Sequence, residues 1–202
     1  MINTIYCVGR NYTAHAHELG NKVEAEPIIF SKPTSSLITS NHFTLPAFSS
    51  EIHFETELVI RISRDGFTVP LEQADDYYDA VAIGLDLTAR DLQSRLKQKQ
   101  LPWLLSKGFR HSAFISQFID KTRLPEVIPF EMQLNGAVRQ KGSSANMIFS
   151  FADLIHFISQ FIELKQGDVI FTGTPEGVGK LTKHDHIQLS LDDRLTCQLS
   201  VC

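Results

Sequence analysis

Short apolar runs separated by polar breaks dominate the chain, and most have the period of strands. Ile2–Val8 predicts a first strand, ended by Gly9. Pro27–Phe30 and Phe43–Phe48 predict short strands set among proline and serine. His53–Ile62 alternates: Phe54, Leu58, Ile60 and Ile62 share one face, and His53, Glu55, Glu57 and Arg61 share the other. Val81–Leu87 predicts another strand, followed by a helix at Asp91–Lys99 with Leu92 and Leu96 one turn apart. Within Glu131–Gln140, the pair Asn135–Gly136 tolerates the positive φ angles of a type I′ turn, so a hairpin is expected. Ser150–Leu164 carries the clearest helical period, with Phe151, Leu154, Ile155, Ile158, Phe161 and Ile162 on one stripe. Ser150 is placed to cap it and Asp153 falls in the first turn. Val169–Thr172, Ile187–Leu191 and Leu195–Val201 add strands, and the polar, His-rich segment Asn11–Leu19 suits a turn or two of surface helix. Many short strands with few helices predict a β-rich α+β fold. No linker or repeat interrupts the 202 residues, so a single domain over 1–202 is expected.

Composition narrows the function. Hydrophobic residues make up 43% and charged residues 21%, an ordinary globular balance. With 19 basic and 23 acidic residues, a net charge of −4 and no basic run, nucleic acid is an unsuitable partner. No apolar stretch is long enough to cross a bilayer, so no membrane partner is expected. Met1–Val8 lacks the basic flank and cleavage site of a signal peptide. Cys7, Cys197 and Cys202 form an odd set without a C-x-x-C pair, which fits reduced thiols and a cytoplasmic location.

The candidate chemistry centres on His53-Phe-Glu55-Thr-Glu57. Residues two apart on a strand point the same way, so Glu55 and Glu57 present carboxylates side by side, about 7 Å apart along the strand. Such groups repel unless water or a cation separates them, and hard oxygen donors without cysteine select Mg²⁺, Mn²⁺ or Ca²⁺ over Zn²⁺. The alternative is a solvated strand face. Asp86 lies in an apolar strand, Ala82-Ile-Gly-Leu-Asp86-Leu87, where an ionised side chain needs a partner. It is either a third ligand or a strand-end residue bonded to backbone. Asp91 is more simply a helix cap.

Other polar clusters carry less. If their segment is helical, His15 and Glu18 are neighbours three apart, a spacing that suits a general base or an idle surface pair. His17 and the pair His184 and His186 are assigned to solvent. Lys107, between Trp103 and Phe109, is either aimed at an anion or a snorkelling surface lysine. Gly173-Thr-Pro-Glu-Gly-Val-Gly179 fails as a phosphate loop: the first required glycine position is Thr174, and Leu181 stands where Ser or Thr belongs. It is either a plain turn or a loop whose N–H groups meet a substrate carboxylate.

Taken in order, these motifs resemble the fumarylacetoacetate hydrolase family, in particular its small acylpyruvate hydrolase and oxaloacetate decarboxylase members. The resemblance runs through Tyr6-Cys-Val-Gly-Arg-Asn-Tyr12, Pro27-Ile-Ile-Phe-Ser-Lys-Pro33, His53-Phe-Glu-Thr-Glu-Leu58 and Leu85-Asp-Leu-Thr-Ala-Arg-Asp-Leu-Gln93. It continues through Lys99-Gln-Leu-Pro-Trp103, Lys107-Gly-Phe109, Met147-Ile-Phe-Ser150 and Thr172-Gly-Thr-Pro-Glu-Gly-Val-Gly179. It implies a mixed β-sandwich roll of the family's C-terminal-domain type, a homodimer, and Mg²⁺ or Mn²⁺ held by Glu55, Glu57 and Asp86. It implies a water-activating dyad of His15 and Glu18 on a lid segment within residues 1–20. It also implies that Lys107 stabilises developing negative charge, and that Gln93 and Thr174 contact a small 2-oxo acid substrate. Arg10 is read as a support for that region. The compact stretch between Lys32 and Phe48 and the bulky Arg110-His111-Ser112 depart from the family pattern, which bears on pocket shape.

The resemblance leads to an expected activity: Mg²⁺-dependent hydrolysis of a C–C bond in acylpyruvates such as fumarylpyruvate or acetylpyruvate, through a metal-stabilised enolate. Decarboxylation of oxaloacetate is a second expected activity. Isomerisation or tautomerisation of oxaloacetate or of a 2-hydroxy-dienedioate is the alternative enzyme, and a silent metabolite-binding module is the alternative outside catalysis.

Overall fold

The computed structural model describes residues 2–13 and 25–202. Its largest sheet has seven strands, built around the alternating segment identified above. That segment divides in two, Ile52–Phe54 (β4) and Thr56–Ile62 (β5), with Glu55 at the break. The next long strand, Tyr78–Asp86 (β6), pairs antiparallel with β5, setting Glu57 opposite Gly84. On the other side of β5 lies Val169–Phe171 (β12), and beyond it Ile5–Gly9 (β1), which pairs parallel to β12 and antiparallel to Ile28–Lys32 (β2). The strands Ala113–Ile115 (β8) and Ile119–Asp120 (β9) pair with β6.

Thr88–Ala89 (β7) pairs antiparallel with β4, and Gly179–Lys180 (β13) pairs with β4 on its other side. The β5–β6 pair therefore continues as β4–β7 in a separate three-stranded sheet. Glu55 and Leu87 mark the corner where both strands change sheets. Strands commonly change sheets at such bends.

A five-stranded sheet packs across the core. Its strands are Ala137–Ser143 (β11), Pro129–Leu134 (β10), His186–Leu191 (β14), Leu195–Val201 (β15) and His42–Phe43 (β3), in that spatial order, with only β15–β3 parallel. Asn135 and Gly136 both have positive φ, at 54° and 80°, as a type I′ hairpin requires. The buried face of this sheet (Phe130, Met132, Ile187, Leu189, Leu199) joins Leu58, Ile60, Ile83 and Leu85 in one apolar cluster. The opposite face of the seven-stranded sheet carries a smaller cluster of Ile5, Cys7, Val59, Ala82, Val169 and Phe171. That sheet is thus buried on both faces. Gly84 lies on the same face as the smaller cluster, and a Cβ there would lie 2.7 Å from the Phe114 carbonyl oxygen.

Three α-helices lie wholly within the described residues, Arg90–Gln98 (α1), Leu104–Lys107 (α2) and Phe151–Ser159 (α3), beside four short 3-10 turns. Helix α3 has the expected start, a capping box in which Ser150 and Asp153 bond reciprocally. It ends earlier than its apolar stripe predicts. Leu164 exchanges backbone hydrogen bonds with Gly66, which draws the chain off the helix and leaves Phe161 72% exposed. The strand expected over Phe43–Phe48 shortens to β3, because Pro46 offers no N–H to a ladder. Asp91 sits inside the first turn of α1 rather than at its cap, and accepts hydrogen bonds from Leu92 N and Ser49 Oγ. No helix among the described residues is long and apolar enough to cross a membrane.

Candidate metal centre and active site

The sheet corner gathers the acidic residues. Glu55, Glu57 and Asp86 each offer an oxygen, and these atoms lie within 4.8 Å of one another. They are 6%, 2% and 0% exposed, so the solvated-face alternative does not hold. Register explains the convergence: Glu57 is opposite Gly84, Asp86 lies two residues further along β6, and Asp86 N donates to Glu55 O at 2.8 Å.

Three carboxylates at this burial would repel strongly without compensation. Three cations supply it. Lys107 Nζ, at the end of α2, lies 2.6 Å from Glu55 Oε2 and 2.8 Å from Asp86 Oδ2. Lys32 Nζ, at the end of β2, lies 2.7 Å from Asp86 Oδ1 and donates to the carbonyls of Leu87, Ser112 and Lys107. Arg90, at the start of α1, donates to Glu55 Oε1 through Nη2 and to Gln93 Oε1 through Nη1. The Lys107 ammonium also lies 5.0 Å from the Phe30 ring centroid, and Trp103, which packs edge-on against Phe30, lines the same cavity.

The electrostatics follow from burial and proximity. Burial pulls the Lys107 pKa down, but Asp86 and Glu55 outweigh it and hold the group above its ordinary value, so Lys107 is an ammonium at neutral pH. Burial raises the Glu57 carboxyl well above the usual carboxylate range, and the negative charges of Asp86 and Glu55 raise it further. The hydrogen bond from Gly173 N to Glu57 Oε2, at 2.7 Å, acts in the opposite sense. The glycine-rich loop is therefore aimed at a site carboxylate. Gly173 has φ of 98°, and a Cβ there would lie 2.7 Å from the Asn11 Cβ.

The donor set fits a divalent cation. All three ligands are hard oxygens, the pattern that suits Mg²⁺ or Mn²⁺. Asp86 Oδ1 is buried and accepts no hydrogen bond of good geometry, although Lys32 is ion-paired to it. The Lys107 ammonium stands between Glu55 and Asp86, where positive charge is required. Glu55, Glu57 and Asp86 are the residues that would hold such an ion.

Gln93 and Thr174 are buried and line the same cavity of about 40 Å³ as Glu55, Glu57 and Lys107. Thr174 Oγ1 donates to Thr56 O and accepts from Gln140 Nε2. His15, Glu18 and His17 lie outside the described residues, as do all positions from 14 to 20 of the stretch expected to include a lid. The segment leading to them is anchored by Asn11, whose side chain bonds Phe149 O, Phe149 N and Thr172 O. His184 and His186 are exposed, as expected.

Sequence reasoning passed over Lys32, Arg90 and Gln140. Lys32 had a readable signal: a lysine closing a short apolar strand, like an aspartate within one, needs an opposite charge. Arg90 lies three residues before Gln93 on the same helix face. Gln140 had no signal. It sits on an alternating strand of the other sheet, yet accepts from Thr56 N at 2.9 Å and bridges to Thr174 and Pro175.

The model of the fumarylacetoacetate (FAA) hydrolase C-terminal family matches residues 4–201. The chain belongs to the fumarylacetoacetate hydrolase family. Within this family it is 38% identical over 200 residues to the mitochondrial oxaloacetate tautomerase FAHD1 of Rattus norvegicus, covering 98% of this chain and 90% of that one. It is 44% identical over 179 residues to the mitochondrial oxaloacetate decarboxylase of Dictyostelium discoideum, covering 87% and 82%. The crystal structure of fumarylpyruvate hydrolase from Pseudomonas aeruginosa, in complex with Mn²⁺ and pyruvate, superimposes with a TM-score of 0.94 at 35% identity, covering 99% and 89%. The family fold is thus the expected mixed, sheet-rich α+β type, and its members include hydrolases, decarboxylases and tautomerases.

Proposed function

We propose that this protein is a metal-dependent enzyme acting on a 2-oxo dicarboxylic acid, with tautomerisation and decarboxylation of oxaloacetate as its activities. The observation that carries the reading is the buried triad Glu55, Glu57 and Asp86, held in place by Lys32, Lys107 and Arg90. A divalent ion held by the triad would supply Lewis acidity toward the carboxylate and keto oxygens of a 2-oxo acid. Lys107, which stays protonated at neutral pH, offsets the negative charge of the triad and favours an anionic ligand. Gln93 and Thr174 orient the substrate from the cavity wall, to which Trp103 and Phe30 add apolar surface.

A second reading is hydrolysis of the C–C bond of an acylpyruvate, with His15 assisted by Glu18 activating water. The similarity to a fumarylpyruvate hydrolase favours it. A homodimer and a reducing, cytoplasmic location belong to the proposal. The exposed Leu104 and Leu105 on α2, which line one surface cavity with Phe48, support the first, and three free thiols support the second.

Purified protein with Mg²⁺ or Mn²⁺, assayed with and without EDTA, tests the reading. EDTA-sensitive enol–keto conversion of oxaloacetate, or pyruvate formation from it, is expected. EDTA-sensitive loss of acetylpyruvate absorbance without oxaloacetate turnover would favour the hydrolase. Turnover of neither by folded, metal-loaded protein would overturn both.

A further inference from the structure

Helix α1 presents Arg90, Gln93 and Lys97 along one face, at i, i+3 and i+7, and all three line the cavity beside the carboxylates. Their surroundings differ. Arg90 is engaged with Glu55 and Gln93, and Lys107 is engaged with Glu55 and Asp86. Among the described residues Lys97 forms no ion pair. Its ammonium lies 5.1 Å from the Trp103 ring centroid.

This lysine is half-buried in a positive setting. Burial lowers its pKa, and the guanidinium groups of Arg10 and Arg90 lower it further. Glu55 acts in the opposite sense but forms no ion pair with it, so this ammonium becomes more favourable when an anion enters. Lys97 is also one helical turn, about 6 Å, beyond Gln93 along the cavity wall. The terminal carbons of a four-carbon diacid are three bonds apart, about 3.8 Å, as consecutive Cα atoms are across a trans peptide. Adding the reach of a hydrogen bond, a diacid whose 2-oxo end meets the triad matches that step.

We propose that Lys97 is the specificity-determining residue of this site, its ammonium receiving the distal carboxylate of a 2-oxo dicarboxylate. This rests on the metal-site reading above. A lysine that merely packs its stem on Trp103 would leave the site indifferent to a distal carboxylate.

Displacement of oxalate from the Mg²⁺-loaded protein, followed by calorimetry, separates these cases by comparing L-malate with L-lactate, which differ only in the distal carboxylate. The wild type is expected to prefer malate. Lys97→Met, which keeps the apolar stem, should reduce that preference about 10- to 100-fold, and Lys97→Arg should retain most of it. In turnover, Lys97→Met should raise KM for oxaloacetate more than it lowers kcat. An unchanged malate-to-lactate ratio in both Lys97→Met and Lys97→Gln, with oxalate still bound, overturns the role of Lys97 and leaves the metal-site reading standing. Failure of the wild type to bind oxalate in an Mg²⁺-dependent manner overturns the site reading and this assignment together.

Discussion

The two larger sheets of this protein use strands of similar length for opposite purposes. In the five-stranded sheet, β10 and β14 alternate between buried and partly exposed or exposed positions along their whole length, so one face makes core and the other meets solvent. In the seven-stranded sheet, β5 and β6 are buried at nearly every position, and the face opposite the main core ends in Glu57 and Asp86. The first arrangement needs only the hydrophobic effect. The second buries carboxyl groups around a small cavity, and it stands because lysines and an arginine from β2, α1 and α2 converge on the same corner. A one-faced sheet can therefore be altered residue by residue, whereas the corner behaves as one unit.

The largest expected effect separates the sheets by function. Asp86→Ala should lower metal-dependent turnover on the order of 10³-fold and abolish the rise in Tm on Mg²⁺ addition. In the other sheet, Leu189→Ala should cost about 2–5 kcal/mol in urea unfolding while the folded fraction keeps its kcat. Equal activity losses in the two variants would break the comparison.

Lys32→Met tests whether the corner is a unit. Removing one member of a buried charge network leaves Asp86 less compensated, at about 3–5 kcal/mol. Saturating Mg²⁺ should recover part of that loss, so the metal-induced increase in unfolding free energy should exceed that of the wild type. Leu189→Ala should show no such excess.

Gln140→Leu probes the link between the sheets. It strands Thr56 N without its acceptor, and should cost about 1–3 kcal/mol. Activity should fall by roughly tenfold, because Thr56 lies between two of the carboxylates.

The smallest effect concerns Lys97. Its folded pKa is lowered below the ordinary 10.5, so in the alkaline window just below that value the unfolded chain binds more protons than the folded one. Stability therefore gains as pH rises through this window. The facing groups Arg10, Arg90, Glu55 and Lys107 are unchanged in Lys97→Met, whose unfolding free energy should lack that gain. Parallel pH profiles for wild type and variant would contradict the buried, positive setting of Lys97.

Much of this was legible in the chain itself. Period-two and helical patterning located the principal strands, the Asn135–Gly136 hairpin and the start of α3, because these depend on local geometry and on which side chains avoid water. The ordered motifs identified the family, and the charge inside an apolar strand singled out Asp86. Tertiary structure decided the rest. The Gly66–Leu164 pairing ended α3, the shared break at Glu55 and Leu87 turned two strands into a new sheet, Lys32 reached Asp86 and Arg90 reached Glu55 across the fold, and Gln140 came to Thr56 from the other sheet. Sequence patterns report the preference of each segment for water or core. They do not report which distant charges meet, because that is set by strand pairing and by the requirement that every buried charge find its partner.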